Sequence, residues 1–388
     1  MVWKVHWTVL VDGVDMTINM RPYLIDIETT DKDGATSDTC SLTFDDTDGR
    51  TLLPRDGAKV RILLQGLLVF SGTVDSVRSN GSRGGGRLLK VSAKGMDSRG
   101  KVKEPQAFHK DNAELGDFLD QAAKQAGLAG IVIDDELAGI VRDYWSADGE
   151  SFVHLGQRLA REHNATFKIR AGKDGDVAVL LPRGKDAGMP VIRGTVGDNV
   201  INWDIAPFTG RRTFTKGKVS YFDRDEAKFK SEEVEFDLDR DLPESTNVIR
   251  SNAKDAAQAK GIAKARKSEA EREGGEGSVE LDITPEAQAE CMFVLRGTRP
   301  GVDGSYRIVS VKHKATRSGG ALTSFELKQP QGGAGKDSRK AEGSNAVGGT
   351  GPTKDPTGGN QGGSSGPGAV PGRGSAIAPR RYGSTDMN

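Results

Sequence analysis

The sequence is poor in the residues that build most active sites. Its two cysteines, Cys40 and Cys291, exclude a disulfide framework and a Cys-rich zinc site. It has five histidines: His6, His109, His154, His163 and His313. His154 and His163 fall on one predicted helix, nine residues apart, so at about 100° per residue they point to opposite faces. The spacing of a His-Glu-x-x-His metal site is absent. No apolar run approaches the roughly 20 residues of a membrane-spanning helix. The longest, Ile62-Leu63-Leu64 and Leu67-Leu68-Val69-Phe70, are strand-sized. The opening Met1-Val2-Trp3-Lys4-Val5-His6 lacks the charged-then-apolar pattern of a signal peptide, so none is expected. Surplus charge is missing too. The 55 Lys and Arg balance 55 Asp and Glu, without the basic excess of a general nucleic-acid binder.

Familiar motifs fail on their surroundings. Gly362-Gly363-Ser364-Ser365-Gly366 matches the Gly-x-Ser-x-Gly nucleophile elbow, but both flanks are low-complexity where a strand and a helix are needed. Gly84-Gly85-Gly86 lacks the Gly-Lys-Ser/Thr ending of a phosphate loop and reads as a hairpin tip. Asp45, Asp46 and Asp48 lack the spacing and terminal glutamate of a calcium loop, which leaves a turn with capped backbone amides. No catalytic, metal-ligating or cofactor-binding constellation is visible.

What is present is glycine and alternation. At 388 residues the chain suggests two to four domains. Glycine, 51 in all, is about twice its usual share, and 16 of these lie in Gln331–Asn388. That stretch has too little apolar surface to offset its ordering entropy and reads as a flexible, mildly basic tail. Residues 1–103 read as β. Val5, Trp7, Val9 and Val11 alternate before Asp12-Gly13, and Val60, Ile62 and Leu64 share one strand face. Asn80 to Gly86 is a hairpin loop. Several short strands at this spacing suggest a small barrel or sandwich.

The period changes over 104–185. Asp111 or Asn112 is placed to cap a helix with Leu115, Phe118, Leu119, Ala122 and Ala126 on one face, stopped by Gly127. Ile131 to Ile133 is strand-like. Ser151 caps a second helix with Phe152, Leu155 and Leu159 inward. Phe167 and Ile169, then Val177, Val179 and Leu181, read as a hairpin. This is a compact α+β insert.

From 186 to 330 β returns. Ile201, Trp203 and Ile205 alternate, as do Val219 and Tyr221, then Val234, Phe236 and Leu238. With Val60, Ile62 and Leu64, the last five are candidates for barrel core or interface. Ser251 is placed to cap an Ala- and Lys-rich helix reaching about Glu273, its apolar stripe too weak for a core. The last strands begin at Phe293, Tyr306 and Leu322. A faint repeat links the ends. Leu64-Gln65-Gly66 leads to Val77 and, eleven steps on, Leu88; Leu295-Arg296-Gly297 leads to Val311 and, eleven steps on, Leu322. Chance or duplication would give this, and duplication implies two related barrels with the α+β module between them.

Three stretches carry a resemblance. They are Ser37-Asp38-Thr39-Cys40-Ser41-Leu42-Thr43-Phe44-Asp45-Asp46-Thr47-Asp48-Gly49-Arg50 with Pro54-Arg55-Asp56-Gly57-Ala58-Lys59-Val60; Gly149 to Phe167, containing Ser151-Phe152-Val153-His154-Leu155-Gly156-Gln157-Arg158-Leu159-Ala160; and Val302-Asp303-Gly304-Ser305-Tyr306-Arg307-Ile308 with Val311-Lys312-His313. In this order and over about residues 1–330 they resemble the phage late control protein D family, the baseplate hub of contractile tails. The fold is also similar to the N-terminal hub part of the VgrG proteins of type VI secretion.

The resemblance implies a β-rich α+β protein of two tube-type barrels. It implies a homotrimer whose six barrels make a pseudo-sixfold ring between a hexameric tail tube and a trimeric spike. Tape-measure protein and DNA would pass through, and baseplate wedge proteins are further expected partners. The location is the virion baseplate, assembled in the host cytoplasm, with no cofactor and no membrane insertion. A channel needs a polar wall, and Glu233, Glu235, Asp237 and Asp239 are candidates for it. A hub of type VI secretion or of a phage-like bacteriocin is the nearest alternative. A cell-wall hydrolase needs a paired acid and nucleophile, and a late-gene regulator needs a basic recognition helix; neither is evident.

Overall fold

The computed structural model describes residues 3–97, 100–172, 175–183, 189–209, 216–223, 226–235, 245–253, 256–337 and 339. Its first part is a run of hairpins: β1 (Trp7–Val11), β2 (Val14–Asp15), β3 (Leu24–Lys32), β4 (Thr39–Asp45), β5 (Lys59–Leu64), β6 (Leu67–Ser82) and β7 (Gly86–Lys94). A one-turn helix, α1 (Thr17–Met20), precedes β3. Two-residue turns set the register. Asp12 and Gly13 join β1 to β2, and Gln65 and Gly66 join β5 to β6, each pair with both φ values positive. Such turns match the natural twist of the strands they join. Val5, Trp7 and Val9 point into the core, with Val60, Ile62 and Leu64 opposite.

The α+β insert has its own core. The strand β8 (Pro105–Glu114) pairs with β10 (Val141–Ser151), and β9 (Gly130–Ile133) runs parallel to β12 (Asp176–Pro182), which pairs with β11 (Ala165–Ala171). Helices α2 (Leu115–Gln125), α3 (Asp135–Ala138) and α4 (Phe152–Glu162) complete it. Phe118, Leu119, Phe152, Leu155, Leu159 and Phe167 are fully or almost fully buried there. Ser151 caps α4, accepting from the His154 backbone N–H at 3.3 Å. The expected cap at Asp111 or Asn112 is not used. Pairing with β10 holds Asp111, Ala113 and Glu114 in the strand, with Asn112 at a positive φ between them, and α2 starts directly at buried Leu115. In β12 the buried side is Ala178 and Leu180, not Val177, Val179 and Leu181, because that side packs into the insert's core.

The last part contains β13 (Ile192–Thr195), β14 (Val200–Ala206), β15 (Lys216–Asp223), β16 (Lys228–Glu235), β17 (Thr246–Ala253), α5 (Ala256–Arg272), β18 (Glu276–Asp282), β19 (Met292–Arg296), β20 (Gly304–Thr316) and β21 (Gly320–Gln331). The helix starts later than expected. Ser251 lies in β17, which runs parallel to β15, so α5 begins at Ala256. Strands β15, β16 and β17 form a separate three-stranded sheet, covered by Ala259 and Ala263 of α5. The tail expected from Gln331 begins with a packed turn, for Ala334 is buried against the core of this half. The Gly362–Gly366 motif lies outside the described residues.

All other strands of the two ends share one 13-stranded sheet. Its main path is β14-β18-β21-β20-β3-β4-β7-β6-β5-β1-β2, with β19 on β20 and β13 on β19. The expected barrels are therefore two stretches of one open sheet within the single chain. Neither stretch closes on itself among the described residues.

The faint repeat becomes a register. Adding 234 to the ladder of β6 with β7 gives the ladder of β20 with β21, from Thr73–Lys94 and Arg307–Lys328 to Ser82–Gly86 and Thr316–Gly320. The bulge between Val74 and Ser76 recurs between Ile308 and Ser310. Likewise β4 on β7 matches β18 on β21, Leu42–Val91 standing for Val279–Phe325. Finally β3 on β4 matches β14 on β18, with Ile27–Leu42 for Trp203–Val279 and a bulge at Ile25 for one at Ile201. Bulges are specific local features rather than defects, so two at matching positions tie the halves closely. One detail of the expected repeat shifts. Leu295 faces Gly304 as Ile62 faces Phe70, so Leu295 corresponds to Ile62 and not to Leu64. The connection after β19 is longer than the Gln65-Gly66 turn, which displaces the match.

Candidate assembly surface

The two halves meet where β20 pairs antiparallel with β3, from Ser310–Lys32 to Thr316–Asp26. Alternate side chains separate into two faces, as the period of a strand requires. On one face Ile27, Thr29, Val311, His313 and Ala315 are buried, and Ala315 belongs to the apolar core of the first half. His313 keeps a partner there, its Nδ1 lying 3.0 Å from Thr323 Oγ1. Burial pushes the His313 imidazole down to about 4, so it is neutral at pH 7.

The other face is polar and of mixed sign. Lys312 pairs with Glu28 at 2.7 Å and Lys32 with Glu326 at 3.1 Å. The face continues through Thr43, Lys90 and Arg78 on the neighbouring strands. Burial raises the Asp26 carboxyl, and a hydrogen bond from Thr43 opposes that shift.

A buried ionic joint fixes the insert against the sheet. Lys168 of β11 sits between Asp31 of β3, which it contacts closely, and Asp38, at 3.1 Å. Burial opposes the Asp31 charge, but Lys168 and the Ala289 backbone N–H hold its carboxyl below the usual range. Burial and the neighbouring Asp31 charge raise the Asp38 carboxyl. Asp33, just past β3, is bracketed by Arg272 of α5 at 3.0 Å and Arg183 at 3.4 Å. It also accepts from the Thr166 hydroxyl at 2.7 Å.

Two of the edges left open among the described residues belong to the repeated strands of the large sheet. The strand β14 forms a ladder only with β18, apart from a single bridge from Val200 to Val196. Its Ile201 and Trp203 are 55% and 41% exposed. The far half of β6 pairs only with β7, since the ladder with β5 ends at Thr73. Bare edges of this kind are templates for another strand.

The residues singled out in the sequence fall in three places. Val60, Ile62 and Leu64 are buried in the core of the first half. Val219 and Tyr221 are buried, and Val234 is half-buried, in the separate three-stranded sheet. Glu233 and Glu235 stand on β16 of that same sheet, opposite Lys218 at 3.0 Å and Lys216 at 4.0 Å. Phe236, Leu238, Asp237 and Asp239 lie outside the described residues. Sequence reasoning missed the polar face with Glu28, Lys312 and Arg78, and the free edges at 76–82 and 201–206. The signal was present in the eleven-step spacing and in the alternation of Ile201, Trp203 and Ile205. Only the ladders say which edges are left bare.

Among the described residues no group of three His, Cys, Asp or Glu side chains converges as metal ligands would. His163 lies 3.2 Å from Arg142, and burial lowers its imidazole. Asp45 accepts from the Thr47 backbone at 3.0 Å and Asp46 from Thr51 at 3.1 Å, which is turn capping. No helix among the described residues is long and apolar enough to cross a membrane.

No family model matches the chain. A curated relative, the "Probable baseplate hub protein" of Escherichia phage 186, is 30% identical over 164 residues. The match covers 41% of each chain, so this protein spans under half the length of that relative. Among solved structures, a tail protein from Neisseria meningitidis MC58 superposes with TM-score 0.63 at 16% identity, covering 86% of this chain and 99% of that one. The 43 kDa tail protein of prophage MuSo2 from Shewanella oneidensis gives 0.62 at 16% identity, over 84% and 98%. The E. coli c3393 protein, a type VI secretion component, gives 0.55 at 11% identity, over 85% and 78%. The fold is thus that of phage tail proteins, with a type VI secretion protein sharing it, and the resemblance drawn from the sequence motifs agrees with the curated relative.

Proposed function

We propose that this chain is a structural baseplate hub of a contractile phage tail, acting as a homotrimer. The observation that carries this reading is the register-matched pair of half-sheets. Three such chains offer six nearly equivalent half-sheets to a hexameric tail tube while keeping threefold symmetry for a spike. The curated relative's name and the tail-protein fold support it. Residues 1–103 and 186–330 supply the two tube-type domains and 104–185 the insert. The half-sheets are open in one chain, and barrels or a ring arise when free edges meet. Heterologous contacts of this kind close when the rotation between neighbours divides the circle.

The chain supplies geometry and no catalysis. The mixed-charge face around Glu28, Lys312, Lys90 and Arg78 is the wall that tape-measure protein and DNA would pass. Glu233, Glu235, Asp237 and Asp239 are the second candidate for that wall. The two are separable. Neutralising Glu233, Glu235 and Asp237 together leaves assembly and DNA delivery unchanged if the sheet face is the wall, and impairs delivery if the acidic strand is. The location is the virion baseplate, with tube ring, spike trimer and wedge proteins as partners, after assembly in the host cytoplasm. A type VI secretion hub is the alternative, favoured by the fold shared with the E. coli secretion component.

The test is mass by light scattering, alone and with candidate tube and spike proteins. A trimer of 41.4 kDa chains, gaining a second trimer on mixing with spike, is the expected result. A chain that stays monomeric with both present overturns the reading. Which tail or secretion cluster encodes that spike separates the two alternatives.

A further inference from the structure

The junction between the two halves is a strand pairing that the chain makes once internally. The same chain carries both partners of that pairing a second time, unused. We infer that β6 of one copy pairs antiparallel with β14 of a second copy, in the register that β20 and β3 already show, with Ser79 opposite Ile205.

The register follows from the ladders. In β6 each residue stands 234 places before its counterpart in β20, and in β14 each stands 176 places after its counterpart in β3. The internal pairs Ala315–Ile27, His313–Thr29 and Lys314–Glu28 thereby become Gly81–Trp203, Ser79–Ile205 and Asn80–Asp204. The segment of β6 involved, 76–82, is the half that, among the described residues, pairs with no strand but β7.

Side chains support this register on both faces. At the internal junction Ile27 lies buried opposite the small Ala315. At the second, Trp203 lies opposite Gly81, again large against small. Trp203 is 41% exposed in the single chain at a position whose counterpart is fully buried. The exposed indole is what a missing neighbour leaves. On the polar face Lys312 reaches diagonally to Glu28 at 2.7 Å. The counterparts are Arg78 and Asp204, with the same signs on the same strands. A slip of one residue would turn Trp203 and Ile205 onto the polar face and part this charge pair, so register is strongly specified.

This pairing rests on the hub reading for its partner, a second copy of this chain, and adds the residues that hold the ring together. Its test is a cysteine pair in the full-length protein. Directly opposed residues on antiparallel strands have Cα atoms about 4.5–5.5 Å apart, within disulfide range. Ser79→Cys with Ile205→Cys, oxidised at the assembled concentration, should give covalent dimers and trimers on a non-reducing gel. Asn80→Cys with Ile205→Cys, on opposite faces, should stay at the mass of one chain. Arg78→Asp and Asp204→Arg should each weaken assembly at least tenfold, and the two together should recover most of it. Light scattering keeps the outcomes apart. A trimer whose Ser79/Ile205 pair stays unlinked overturns the pairing and leaves the hub reading standing. A chain that is monomeric even with tube and spike proteins overturns both.

Discussion

Arg272, the last residue of α5, binds Asp33 and Glu290 at once, joining the end of β3 to the loop before β19. All three side chains are nearly buried. The contact ties the first half, the long helix and the second half at one point, beside the Lys168–Asp31–Asp38 cluster. Removing one member of such a cluster leaves a buried charge without compensation, which costs more than the intact cluster contributes.

Arg272→Leu should therefore lower stability by about 3 kcal/mol. Asp33 keeps Arg183, which limits the loss, while Glu290 loses its ion pair with Arg272. Arg272→Lys should recover only part of it, because a single ammonium cannot present two donors in a planar fork. Urea unfolding of the three proteins, read by tryptophan fluorescence, checks the order. Equal midpoints for the wild type and Arg272→Leu would remove the joint from the account.

His313 predicts a pH dependence. Its folded value of about 4 lies below the usual 6.5, so the unfolded chain binds more protons between those limits. The contribution is fully present above about pH 6.5 and is lost as pH falls towards 4. It amounts to about 3 kcal/mol at most. His313→Gln should flatten the stability profile between pH 6.5 and 4 relative to the wild type, measured by chemical unfolding at each pH. Parallel profiles would show that the imidazole is not held neutral at the β20–β3 junction.

Gly156 sets a clash against a propensity. It lies inside α4, where alanine would raise helix stability by about 1 kcal/mol. A Cβ there would enter the contact distance of the Phe167 ring. Overpacking costs about 1–3 kcal/mol, so the clash wins. Gly156→Ala should be destabilising by up to about 2 kcal/mol in the same unfolding measurement. A stabilised variant would mean that the ring moves aside at little cost.

The two thiols should be silent. Cys40 and Cys291 are buried, and burial raises both thiols above their ordinary value. A chromogenic disulfide reagent at pH 8 should find no thiol in the native chain and two in denaturant. Rapid native labelling would contradict the packing of β4 and of the loop before β19. The same silence keeps introduced cysteines readable in the cross-linking test.

Much of the fold is legible in the sequence because its signals are local. Alternation at Val5, Trp7 and Val9, the Asp12-Gly13 turn, the Ser151 cap and the Phe118–Leu119–Ala122 stripe each depend on residues within a few places of one another. The misplaced elements are those where a distant partner decides. Asp111 and Asn112 are good caps, yet pairing with β10 holds Asp111, Ala113 and Glu114 in a strand around them. Ser251 is a good cap, yet β15 holds it in a strand.

By itself, then, the sequence determined the β-rich character, the α+β insert and the eleven-step hint of a repeat. These follow from composition and periodicity, which any short window carries. Tertiary structure alone decided that the two ends share one sheet and that β20 takes β3. It also decided that β6 and β14 are left with bare edges. Hydrogen-bond ladders join residues up to some 290 places apart, and no local pattern states which strand lies beside which.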